Sequence, residues 1–311
     1  MNPVHLVRLF GPRLCAAVIV PALAAVRARR QAAAQPWIID AIGAALRLRA
    51  PAARRLHRHS VGADLRFQFD YAWLAGASEA QVARALAATT IEHLERLDPV
   101  VASGKPVILL SIHMGSFYMG FLKLAQSVDA TREIHVVKMA PASAQEAALH
   151  KQAEQKFGRI RALRFDDDVG KQAYLALRRG GVVALMNDVE VRVTAREPVS
   201  LFGHRCHMQS GVARLAASTG ATIVPLINFS TPSGTRVVRL EVPLAARLPG
   251  EAPAASVQRL MQAIAALMEQ WIAIDPAQCH SWQHLAWTMH QEQHDKLDRR
   301  SQTLAPPPPL S

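Results

Sequence analysis

One histidine in this 311-residue chain is placed where chemistry is possible. His113 lies inside PVILLSIHMGSFYMGFLKLA, residues 106–125. Val107, Ile108, Leu109 and Leu110 read as a strand covered on both faces. Gly115 allows a sharp turn or a close approach of backbone to a ligand. Phe117, Phe121, Leu122 and Ala125 recur at helical spacing. His113 therefore falls where strand becomes turn, the edge at which open α/β sheets take ligands. Its ordinary pKa lies near neutrality, so it is a candidate general base. The alternative is a histidine that only caps the turn.

Half the residues are apolar, enough for a full core. Lys plus Arg number 36 against 24 Asp plus Glu, a net charge of +12. Such a surface favours phosphate-bearing or acidic partners: nucleic acid, anionic headgroups or an acidic carrier protein. Zinc-knuckle spacing, an RNP-like aromatic pattern and a recognition helix are all missing from the sequence, which sets nucleic acid aside. Cys15, Cys206 and Cys279 are widely spaced and odd in number, so they give no disulfide framework and suit a reducing compartment.

The elements that must position His113 follow from patterning. Residues 14–26, LCAAVIVPALAAV, form an uncharged run between Arg8 and Arg13 on one side and Arg27, Arg29 and Arg30 on the other. As a helix it spans about 20 Å, short of the roughly 30 Å hydrocarbon core, and Pro21 should disturb it. A signal peptide cleaved at Ala22-Leu23-Ala24, an anchor lying in one face of a membrane and a buried core helix compete here. The arginines directly after the run disfavour export, and the anchor is carried forward. Arg54, Arg55, His57, Arg58 and His59 form either a headgroup patch or a solvated helix face. Residues 62–100 read as helices, with a start at Ser78 followed by Glu79 and Gln81.

From residue 101 strand and helix alternate. Strands are predicted at 106–112, 134–138, 160–164, 181–187, 221–228 and 236–242. Helices are predicted at 116–127, 143–156, 169–179 and 208–219, with a final one at 255–274. The expected fold class is α/β, a layered and largely parallel sheet with flanking helices. Residues 1–60 form an N-terminal membrane-associating section, 61–300 the α/β domain and 301–311 a disordered proline-rich tail.

Four blocks in order resemble the bacterial lipid A late acyltransferases, the lauroyl and myristoyl transferases of the lysophospholipid acyltransferase superfamily. ILLSIHMGSFYMG resembles their strand-histidine block. LRRGGVVALMNDV resembles the strand that ends in their aspartate, here Asp188. LFGHRCHMQSGVARLAASTGATIVPL is similar to their FFG-to-GA block, matching at Phe202, Gly203, Gly211, Ala213, Leu215, Ala216, Thr219, Gly220, Ala221, Val224 and Pro225. DPAQCHSWQHLAW resembles their closing W-x-H-x-x-W, through Pro276, Gln278, Trp282, His284 and Trp287. The resemblance covers roughly residues 5–290. It implies a glycerolipid acyltransferase-like fold at the cytoplasmic side of the bacterial inner membrane, with no metal or redox cofactor. The enzyme would take a fatty acyl chain from acyl carrier protein or CoA thioester and pass it to a lipid or glycolipid hydroxyl.

The chain departs from the family at its signature, His-x4-Asp/Glu. Tyr118 stands in the place of the acid and Ser116 where Asn is common. A neutral tyrosine can fix a ring tautomer but balances an imidazolium far less than a carboxylate. Either another acid supplies the charge, or the protein is a weakly active or non-catalytic member that binds acyl chains or acyl carrier protein for a partner enzyme. Asp188 is the expected substitute, since it ends a strand at the same edge as His113, and Glu190 is second. The alternative for Asp188 is a strand-end cap. An acyltransferase for a specialised lipid is a third reading.

Expected substrate contacts are Gly115, Ser116, Lys138, Gly203, Arg205 and Arg214, with backbone amides near Gly115 holding the oxyanion. For Lys138, Arg205 and Arg214 the alternative is an ordinary surface cation. His204, Cys206 and His207 invite a metal, but the segment lacks a second ligand cluster. Asp166, Asp167 and Asp168 read as a turn into a helix start. Leu285 and Ala286 replace two family arginines, and Trp282 and Trp287 read as packing or interface anchors.

Overall fold

The computed structural model describes residue 6, residues 14–128, 132–139, 160–165, 168–189 and 195–298, and scattered positions between 140 and 152. The N-terminal part is helical. A π-helical turn, Cys15–Ile19, runs into α1, Val20–Ala34. Pro21 does not disturb this helix as expected: it sits in the first turn of α1, where its fixed φ suits the helix. There follow α2, Trp37–Leu46, α3, Ala50–Gly76, and α4, Glu79–Ala87. Ser78 starts α4 through a capping box with Gln81, as the sequence indicates. Among the described residues no helix is long and apolar enough to cross a membrane.

Helix α3 has 27 residues, roughly 40 Å of helix. Its first half buries Ala53, His57 and Val61 against α1 and α2. Arg27 of α1 reaches Asp64 of α3 at 3.0 Å. Its second half carries Phe67, Tyr71 and Leu74 over the end of the sheet.

The sheet has seven strands in the order β1-β9-β8-β2-β5-β3-β4. They are β1 Thr89–Glu92, β2 Val107–Ser111, β3 Ile134–Lys138, β4 Ile160–Arg164, β5 Val182–Met186, β8 Thr222–Ser230 and β9 Arg236–Leu240. Strands β8, β2, β5, β3 and β4 are mutually parallel, and β9 runs antiparallel to β8. Six of these strands are the predicted ones. The hairpin of β6 Arg196–Leu201 and β7 His204–Gln209 stands apart. Its two-residue turn, Phe202-Gly203, has positive φ at both positions, which matches the right-handed twist of the flanking strands.

Helix α5 is Asp98–Ala102, α6 Phe117–Ala125, α7 Val169–Arg178, α8 Gly211–Thr219, α9 Pro253–Ile274 and α10 Trp282–Asp298. Every residue of β2 is buried, and its side chains alternate between two cores. Val107 and Leu109 join Phe117, Phe121 and Leu124 of α6 on one face. Ile108 and Leu110 join Ile264, Met268 and Trp271 of α9 on the other. The strand is thus covered on both faces, as its continuous apolar run requires.

Three sequence readings need correction. Thr89–Glu92 is an edge strand within a region read as helical, where three consecutive β-branched residues favour the extended chain. Residues 208–210 belong to β7 and the turn after it, not to the helix, which begins at Gly211. A further helix, α10, follows the one read as final. Most of the predicted helix 143–156, Asp166, Asp167, Glu190, Arg8, Arg13 and the tail 301–311 lie outside the described residues.

His57, His280 and His284 are 3%, 7% and 1% exposed, so all three are stored neutral. Burial lowers them to about 4, about 3 and about 4 respectively. A histidine whose folded pKa is depressed stabilises the fold above its unfolded value of 6.5, and that stability drains away as pH falls toward the folded value. Asp64 works the other way, since burial raises its carboxyl despite Arg27 and His113. Its protonation returns some stability as pH falls. We expect the histidines to dominate, costing about 3 kcal/mol between pH 6.5 and 5.5. Urea unfolding at those two pH values measures this. A midpoint unchanged over that interval contradicts it.

Candidate active site

Strand register places the two central groups. In the β2–β5 ladder Ser111 pairs with Met186, and two residues beyond each stand His113 and Asp188. Asn187 N–H donates to Ser111 O and carries the pairing past the strand ends. His113 Nδ1 lies 2.8 Å from Asp188 Oδ1, and the His113 backbone N–H donates to Asp188 Oδ2, also at 2.8 Å. One carboxylate therefore grips both the ring and the main chain of one histidine. The His113 side chain is 21% exposed and that of Asp188 is 0% exposed, so the ring is reachable and the acid is sealed.

Burial pushes the Asp188 carboxyl up, but the His113 ring, the Ser281 hydroxyl and the His113 amide outweigh it. The net result is a pKa below the ordinary carboxylate value. An ionised carboxylate only accepts hydrogen bonds, so Nδ1 must carry the proton. That leaves the lone pair of neutral His113 on Nε2, where a hydroxyl proton could be received.

The turn is held from below by the closing block. Gly115 N–H donates to Gln278 O at 3.1 Å, His280 N–H donates to His113 O at 2.8 Å, and Met114 bridges Cys279. Gln278 in turn spans the Ser230 N–H and C=O of β8 with its side-chain amide. Gly115 has φ +57, and a Cβ there would meet Asn228 O at 2.8 Å and Phe229 Cα at 2.9 Å. Both facts require glycine. Of the amides near Gly115 expected to hold an oxyanion, two are already committed within the fold. Gly115 N–H is taken by Gln278, and Met114 N–H by Ile112 O at 2.9 Å.

Helix α3 forms the roof. Ser60, Asp64, Phe67 and Tyr71 recur at i, i+4, i+7 and i+11 along one face. Ser60 bonds Cys279 O. Asp64 is close enough to feel the charge of His113. Phe67 stacks on Phe117 at 4.3 Å, and Phe117 meets the His113 ring edge-on at 5.0 Å. His280 lies among the same rings, and its buried Nε2 has no partner among the described residues.

The other predicted residues divide between the same sheet edge and the β6–β7 hairpin with the helix after it. Asp188, not Tyr118, holds Nδ1. Tyr118 packs edge-on against Tyr71 at 4.7 Å, with the Lys138 ammonium 5.8 Å from its ring. Lys138 ends β3 on the same sheet edge and donates to Tyr71 Oη at 3.2 Å. Ser116 Oγ donates to Asp70 at 2.8 Å, and Arg236, at the start of β9, lies 3.8 Å from the same carboxylate. Arg214 is committed to Glu197 at 2.6 Å and Ser210 at 2.9 Å. Gly203 sits in the hairpin turn and Arg205 points outward from β7, so the structure does not gather them at His113.

Cys206 faces inward and His207 outward on that strand, so the two cannot share a metal. Among the described residues no His, Cys, Asp or Glu group could hold one. Trp282 and Trp287 are packing residues, against Phe202 and Trp37. Leu285 and Ala286 are buried in the same core.

Sequence reasoning missed Ser281, His280, Asp64, Asp70 and Arg236. One signal was available: Asp64 falls between apolar Val61 and Leu65, and an acid on a buried helix face asks for a reason.

No curated protein matches the sequence. The family model for bacterial lipid A biosynthesis acyltransferases matches residues 65–288, which include α3 from Leu65 onward, the sheet, His113, Asp188 and the closing block. The protein is an acyltransferase of the kind that acylates lipids, and the chain belongs to the bacterial lipid A biosynthesis acyltransferase family.

Proposed function

We propose that the protein transfers a fatty acyl chain from a thioester of acyl carrier protein or CoA to a hydroxyl of a lipid or glycolipid, with His113 as base. The observation that carries this is the clamp of Asp188 on His113, 2.8 Å from Nδ1 and 2.8 Å from the amide. Nε2 takes the proton as the acceptor oxygen attacks the thioester carbonyl. Asp188 offsets the charge of the resulting imidazolium. Collapse of the tetrahedral intermediate forms the ester and breaks the carbon–sulfur bond. The departing thiolate takes the proton from Nε2, so the enzyme returns unchanged and needs no cofactor.

In this reading Asp188 does the work of the missing motif acid, and Tyr118 is a packing residue beside Lys138. Lys138, Arg236, Ser116 and Asp70 rim the same sheet edge and suit a polar, phosphate-bearing acceptor. The net charge of +12 favours encounter with an anionic carrier and an anionic acceptor at the cytoplasmic face of the inner membrane.

Purified protein supplied with acyl-carrier and CoA thioesters and a total lipid extract, read by mass spectrometry, tests this. His113→Ala should remove product, and Asp188→Asn should lower kcat roughly a thousandfold. Tyr118→Phe should stay within about threefold of wild type. Full turnover in Asp188→Asn contradicts the reading.

Ser281 acts as a positioning residue, because its hydroxyl donates to Asp188 and lies behind it. Ser281→Ala should lower kcat about tenfold at unchanged KM, and Ser281→Thr should restore it. A rise in KM at constant kcat would instead place Ser281 in substrate binding.

A further inference from the structure

A second site lies outside the reaction centre, between α1, α2 and the first turns of α3. There a cavity of about 640 Å³ is lined by Arg29, Arg54, Arg55 and Arg58. Its floor is apolar and includes Ala28 and Ile39. All four arginines are exposed, and among the described residues none has an acidic partner. His57 in the wall is buried and neutral, so the arginines alone charge the cavity.

Four exposed guanidinium groups over an apolar floor give the cavity one sign of charge and attract an anion. The volume suits one small amphiphile. Helix geometry adds a second observation. Leu14, Val18, Ala25 and Arg29 fall at i, i+4, i+11 and i+15, on one face of the N-terminal helix. Leu14 and Val18 are 45% and 56% exposed. An exposed apolar stripe thus runs into an arginine-lined cavity. A ligand matching both has acyl carbon at one end and phosphate at the other.

The geometry points to a binding site for one anionic phospholipid, its phosphate among Arg29, Arg54, Arg55 and Arg58 and its chains along the stripe. An acidic protein would match the charge but not the concave apolar floor. The site is separate from the His113 turn and serves to seat the enzyme on an anionic bilayer. It does not depend on the proposed transfer reaction, because its test reads binding and not turnover.

The probe is dihexanoyl-phosphatidylglycerol below its micelle concentration, titrated calorimetrically into the full chain. Parallel arms use dihexanoyl-phosphatidylcholine, glycerol 3-phosphate and acyl carrier protein. We expect one lipid per chain. The double variant Arg54→Gln/Arg58→Gln should weaken it at least about tenfold. Arg30→Gln/Arg49→Gln removes the same charge from exposed positions that do not line the cavity, and should weaken it less than about twofold. The phosphatidylcholine and glycerol phosphate arms should bind at least about tenfold more weakly than the probe. Equal losses in the two double variants would show diffuse attraction and overturn the site. Glycerol phosphate binding as tightly as the lipid would overturn the lipid assignment. So would loss of carrier-protein binding in the cavity variant with lipid binding intact.

Discussion

A carboxylate sealed from water is the constraint on which the rest of this structure depends. Removing a charge from solvent costs several kcal/mol unless hydrogen bonds replace the lost hydration. Asp188 has its replacements: the His113 ring, the His113 amide and the Ser281 hydroxyl. They come from two parts of the fold. The ring and amide arrive through the β2–β5 register, and the hydroxyl arrives with the closing block. That block is in turn fastened to the His113 turn and to β8 by backbone bonds and by Gln278. Loss of any one contact leaves a buried charge short of a partner.

In the proposed function, the same arrangement lets Asp188 stand in for an acid in the motif. An acid at position 118 would sit in the first turn of α6, beyond the turn that carries His113. Asp188 sits instead at the end of the neighbouring parallel strand, level with His113. The vacated helix position holds Tyr118 in an aromatic cluster with Tyr71 under Lys138. The polar rim and the His113–Asp188 pair are thus separate features of one sheet edge.

Much of this was legible in the sequence wherever local pattern decides structure. The run Val107 to Leu110 reads as a doubly covered strand, and β5 reads the same way. Once both are parallel neighbours, His113 and Asp188 share an edge. The roof was not legible, because nothing local in Ala50–Gly76 says which sheet edge that helix will cross. The clamp on Gly115 and His113 by Gln278 and His280 spans more than 160 positions and is equally invisible. The hairpin β6–β7 was hidden differently. Its alternation of inward Cys206 and Met208 with outward Arg205 and His207 is a strand pattern, masked by the likeness of the segment to the FFG-to-GA block.

The claim at the centre is that Asp188 fixes the protonation of His113. Nitrogen NMR on protein labelled in its histidine rings measures this directly. The account predicts that neutral His113 carries its proton on Nδ1, leaving Nε2 free, and that Asp188→Asn abolishes this preference. A proton resident on Nε2 in the wild type, or a tautomer indifferent to Asp188→Asn, would contradict it.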